Sequence, residues 1–149
     1  MCAPLCARRA NAGIDVHDIL IVDDEFAERD GLRFLIESAG LPLRIHEAPN
    51  GEVALEYLKM NPVDILLTDI RMPFMDGLAL SEAARALHPA LIVLFYTAYG
   101  EFDYAMRAIK IHAFGYILKP VNRDNMIGEL KKAVEACPSA EPIELARGG

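Results

Sequence analysis

Short apolar runs and amphipathic segments alternate along most of this chain. "DILIV" (18–22), "VDILLTD" (63–69), "LIVLFYT" (91–97) and "FGYIL" (114–118) read as strands, and "LRIHEA" (43–48) alternates as a strand does. Between them lie helical patterns. "FAERDGLRFLIESAG" places Phe26, Leu32, Leu35 and Ile36 on one face and stops at Gly40. Asn50 is a candidate cap for a helix reaching Met60, with Val53, Leu55, Tyr57 and Leu58 as its buried stripe. "GLALSEAARALHP" and "EFDYAMRAIKIHA" read as two further helices. A last helix follows Asn122, with Met126, Ile127, Leu130 and Val134 at helical spacing.

Five strand–helix pairs predict an α/β fold: a five-stranded parallel sheet with helices on both faces, a (βα)5 unit. That unit spans residues 17–137. Residues 1–16, rich in alanine, read as a flexible N-terminal arm, and 138–149 as a tail or the start of a linker.

In such sheets ligands gather beyond the carboxyl ends of the strands, where the strand order switches. Polar groups stand at those ends in four of the predicted strands. Asp23 and Asp24 follow the first, Asp69 ends the third, Thr97 the fourth, and Lys119 the fifth. Alone, each has an ordinary reading: a helix cap, a solvated acidic pair, a turn lysine, a good strand former. Together they make a pocket. Three converging carboxylates repel one another unless a cation joins them, and Mg²⁺, a hard ion that takes oxygen ligands, fits that role. A divalent ion, an ammonium and a hydroxyl around one carboxylate suit charge developing on a phosphoryl group, with Asp69 as the nucleophile.

Composition narrows the picture. The chain has 149 residues, 53% of them hydrophobic, and a net charge of -7. This is one globular domain, and the acidic balance argues against direct nucleic-acid binding by this chain. No apolar run reaches the length of a membrane span, and the N-terminus has no signal-like core. Cys2, Cys6 and Cys137 form no CxxC pair and read as reduced thiols, so a cytoplasmic location is expected. His17, His46, His88 and His112 have no ligand spacing and read as surface or packing residues. Met72 and Met75 read as loop packing. Tyr96, Tyr99, Phe102 and Tyr104 read as core and helix-entry contacts.

The stretches "ILIVDDE", "DILLTDIRMPFMDG", "FYTAY" and "GYILKP", in this order and spacing, resemble the receiver domain of two-component response regulators. The resemblance covers residues 17–137 and implies the flavodoxin-like receiver fold. It implies that Asp69 accepts a phosphoryl group from a sensor histidine kinase or phosphotransfer protein, with Mg²⁺ as cofactor. Asp24 would ligate the metal directly, Asp23 through water, and the backbone carbonyl of Arg71 would add a ligand. Thr97 and Lys119 would contact the phosphoryl group, and the Lys119–Pro120 bond would be cis. Thr97 and Tyr116 would form a coupled switch pair. The face built from the fourth helix, fifth strand and fifth helix (101–111 and 122–132 included) would then dimerise or dock on a partner. Within the family the chain looks most like receivers whose output is an AraC-type helix-turn-helix pair, which implies transcriptional control. The sequence holds no such output region, so a stand-alone receiver or a fragment is expected. Two rival readings remain. A haloacid-dehalogenase-like phosphatase also forms an aspartyl phosphate, but on strand one. A receiver-like interaction module would have given up phosphorylation.

Overall fold

The structure, a computed structural model, describes residues 16–98 and 114–137. Strands β1 (His17–Val22), β2 (Leu43–Ala48), β3 (Ile65–Asp69), β4 (Ile92–Ala98) and β5 (Gly115–Lys119) form one parallel sheet in the order β2-β1-β3-β4-β5. The described helices are α1 (Phe26–Ala39), α2 (Gly51–Met60), α3 (Gly77–Leu87) and α4 (Arg123–Ala136). The expected flavodoxin-like α/β architecture is the observed one. The helix expected over 101–111 lies outside the described residues, as do Tyr99, Phe102, Tyr104 and His112. So do the tail and, Val16 apart, the arm.

Side chains alternate across a strand, so a strand buried on both faces feeds two cores. Leu20, Val22, Leu66, Val93 and Phe95 point one way, onto Ala54 and Leu58 of α2 and Leu80 and Ala84 of α3. Ile19, Ile21, Ile65, Leu67, Leu94 and Ile117 point the other way, onto Leu32 and Ile36 of α1 and Met126, Leu130 and Ala133 of α4. Each fully buried Leu or Ile contributes about 1.5–3 kcal/mol. The helix ends follow their sequence signals. Asn50 and Asn122 accept the amides of Val53 and Asn125, and Gly40 closes α1 in the left-handed region at φ 71°. Two expected core residues are instead exposed: Phe26 is 67% accessible and Val53 44%. Both sit in the first turn of their helix, and α1 and α2 bury other positions, Leu32 and Ile36 in one and Ala54 and Leu58 in the other.

The order of the strands has one consequence for function. The chain leaves β1 for β2 on one side and returns to β3 on the other, so the crevice opens between the ends of β1 and β3.

The opposite edge of the sheet carries a buried ionic contact. His17 Nδ1 lies 3.7 Å from Asp64 Oδ2, and that same oxygen accepts the amide of Asp18 at 2.9 Å. The Asp64 carboxylate first, and then Cys137, hold the His17 imidazolium up to about 10, against the opposing effect of burial. The unfolded-state value is near 6.5, so this stabilisation is complete below about pH 6.5 and is lost as the pH rises through the folded value. Unfolding free energy should therefore fall between about pH 7.5 and 9.5, by up to about 1 kcal/mol per pH unit. Urea titrations of wild type and His17→Gln across that range test this; an equal fall in the variant would assign the effect elsewhere.

Candidate phosphoacceptor site

The turn after β1 is fixed by its own carboxylate. Asp23 Oδ1 accepts the Glu25 amide at 2.9 Å, a local turn that short acidic side chains favour, and Arg29 Nη1 donates to the Asp23 carbonyl at 2.8 Å. Asp23 is thereby fully buried, while Asp24 next to it is exposed. Asp69 is the last residue of β3 and is also buried. Carboxylate oxygens of Asp23, Asp24 and Asp69 all lie within 4.8 Å of one another.

The loop after β3 is clamped at both ends. The Gly77 amide donates to the Ile70 carbonyl at 2.8 Å, and Asp76, not Asp69, caps α3 by accepting the Ala79 amide at 2.9 Å. Asp69 is therefore left to the pocket. Arg71 stands exposed just beyond it.

Lys119 arrives from the end of β5. Its Nζ donates to Asp69 Oδ2 at 3.0 Å and to Glu28 Oε1 at 2.9 Å, and it sits 4.6 Å from the centre of the Tyr96 ring. Its bond to Pro120 is cis, as the resemblance implies. Thr97 is buried in β4, and its Oγ1 donates to the Ala98 carbonyl at 3.5 Å, a long contact. Tyr116, in β5, is paired in register with Phe95 and packs half-buried against the same core layer.

The electrostatics follow from this crowding. Burial first, then the nearby Glu28 carboxyl, push the Asp23 carboxyl up to about 7. Burial works against charge on Lys119, but the bonds to Glu28 and Asp69 outweigh it and raise the ammonium above the ordinary lysine value. Glu28 shows the converse: burial would raise it, yet Asp23 beside it and the bond from Lys119 lower it. Burial lifts the Tyr96 hydroxyl to about 12. Asp23 Oδ2 is buried without a hydrogen-bond partner. A buried, unpaired carboxylate oxygen beside two more carboxylates is the donor set a hard cation satisfies, so these residues fit a divalent metal.

The structure brings together Asp23, Asp24, Asp69 and Lys119, while Thr97 stands near the end of β4 with its hydroxyl on the Ala98 carbonyl. The pocket also holds two residues the sequence reading did not place there. Glu28 reads as an ordinary first-turn acid of a helix, and Tyr96 as core.

A sequence profile of the response regulator receiver domain matches residues 19–131. The chain is 38% identical over 117 residues to the transcriptional regulatory protein ZraR of Escherichia coli K12, covering 78% of this chain and 26% of that protein. It therefore spans about a quarter of that relative's length. Among solved structures it is similar to a two-component transcriptional regulator AraC from Clostridium phytofermentans, with 34% identity, a TM-score of 0.73 and coverage of 80% of this chain and 94% of that one. The receiver domain of AraT from Geobacillus stearothermophilus is also 34% identical, with a TM-score of 0.71, covering 89% and 98%.

Proposed function

The chain belongs to the response regulator receiver domain family, and from that premise we propose that Asp69 accepts a phosphoryl group from the phosphohistidine of a sensor kinase or phosphotransfer protein. One observation carries the reading: a single buried carboxylate, Asp69, is at once bonded to the Lys119 ammonium and gathered with Asp23 and Asp24. In the transfer an Asp69 oxygen attacks phosphorus, the new P–O bond forms as the P–N bond to the donor imidazole breaks, and the imidazole keeps the electron pair. Asp23, Asp24 and Asp69 would hold a Mg²⁺ ion, Asp24 directly and Asp23 through water, and the Arg71 carbonyl would add a ligand. When bound, that ion supplies positive charge to the phosphoryl oxygens. Lys119 pairs with those oxygens and Thr97 donates its hydroxyl to one of them.

The domain carries a signal and does not turn over a substrate. The phosphatase reading loses ground because the carboxylate paired with Lys119 stands on β3 and not on β1. Thr97 and Tyr116 lie on adjacent strands, which supports their coupling as a switch. The responding surface includes β5 and α4, and it serves homodimerisation or partner docking. The output is transcription, exerted through a region other than this domain, in the cytoplasm. Among the described residues no helix is long and apolar enough to cross a membrane.

With Mg²⁺ and acetyl phosphate, the intact mass of the wild type should rise by one phosphoryl group. Asp69→Asn should show no gain. Labelling of that variant to the wild-type extent, or none of the wild type, would overturn the reading.

A further inference from the structure

Glu28 is a charged group whose side chain is bonded to Lys119 within the pocket, and phosphoryl transfer has no stated use for it. It lies in the first turn of α1, where an acidic residue is favoured by the helix N-terminus alone. That preference would be met with the side chain in water. Instead the carboxylate turns inward and binds Lys119, 91 residues away, at 2.9 Å, as tightly as Asp69 does at 3.0 Å. Its side chain is one-third accessible. The neighbouring Arg29 does not answer this charge, because its guanidinium is engaged with the Asp23 carbonyl and Glu47.

We propose that Glu28 is a positioning residue for Lys119, an internal anion that shares the ammonium with Asp69 at rest and competes with an incoming phosphoryl group for it. The inference rests on the phosphoacceptor reading above. An ammonium has three N–H groups and no more. Before transfer, two carboxylates and the Tyr96 face already occupy Lys119. On transfer the charge of Asp69 is replaced by a phosphoryl group of nearly two negative charges standing farther from the backbone. Lys119 must follow it, and Glu28 holds the ammonium back. The pocket is thereby set to a weaker phosphorylated state than its other groups would produce.

The test is calorimetric titration with beryllofluoride in the presence of Mg²⁺, on wild type, Glu28→Gln and Glu28→Asp, with folding verified by urea unfolding. Gln keeps the shape and an acceptor but loses the charge. Asp keeps the charge but is one methylene too short to hold Lys119 in place. Both variants should bind the mimic more tightly, Glu28→Gln by about tenfold, the scale of one lost charge-assisted contact. Equal or weaker binding by Glu28→Gln overturns the proposal. Tighter binding by Glu28→Gln alone, with Glu28→Asp like wild type, also overturns it, because bulk charge and not the Lys119 bond would then be responsible. If the wild type itself takes no beryllofluoride, the phosphoacceptor reading has failed, and this inference fails with it.

Discussion

Gly77→Ala should lower the stability of the protein by about 3 kcal/mol, the upper range for an overpacked site. Gly77 opens α3 directly behind the end of β3. A Cβ there would lie 2.1 Å from the carbonyl oxygen of Asp69 and 3.0 Å from the Ile70 Cα. Both are backbone atoms, so no side-chain rotation relieves the overlap. Ile70 is fully buried, and its carbonyl is already held by the Gly77 amide at 2.8 Å. The clash must therefore displace the end of β3 or the start of α3, and a shift of β3 moves Asp69 relative to Lys119. The expected result is a loss of unfolding free energy together with impaired phosphorylation. Gly31→Ala is the control: it lies within α1, where a Cβ meets nothing within 4 Å, and should stabilise by about 0.5–1 kcal/mol. Urea unfolding of both variants decides the matter, and a Gly77→Ala midpoint equal to wild type would contradict the close packing of loop and strand.

Lys119→Met should impair the pocket in two ways. It removes the ammonium bonded to both Asp69 and Glu28. Asp69 is buried, and a buried carboxylate left without its partner destabilises. With Glu28 still reached by water, the loss is about 2 kcal/mol. The phosphoryl group would also lose its cationic partner, so labelling by acetyl phosphate should fall by more than about tenfold, one charge-assisted contact in a desolvated site. Lys119→Arg should restore much of the stability but not the labelling, because a planar fork cannot reproduce one point charge bridging two carboxylates. Full labelling of the Met variant would remove Lys119 from the proposed chemistry. In Asp69→Asn, which has no carboxylate to strand, the stability cost of Lys119→Met should shrink, and the double-variant cycle measures that coupling.

The pocket was legible because its residues interrupt patterns. Asp23, Asp69 and Lys119 end runs that are otherwise apolar, and parallel strands bring such ends to one edge. Glu28 follows no such rule. Its partner lies on β5 and its meaning depends on the tilt of α1 over the sheet, which no local spacing records. Tyr96 is hidden for a related reason. It belongs to the core, as its strand pattern implies, and only the arrival of Lys119 over its ring gives it a second part. Phe26 and Val53 fit the helical period yet sit in first turns, outside the stripe that meets the sheet, because period alone does not say where packing begins.

The central claim is that Asp69 carries the phosphoryl group. Borohydride reduces an acyl phosphate to the alcohol with release of phosphate, so a phosphorylated aspartate becomes homoserine, whereas free carboxylates are untouched. The protein treated with Mg²⁺ and acetyl phosphate, reduced and then mapped by peptide mass spectrometry, should contain homoserine at position 69. Homoserine at Asp23 or Asp24 with none at Asp69, or no homoserine in a protein that has gained the phosphoryl mass, would contradict the account.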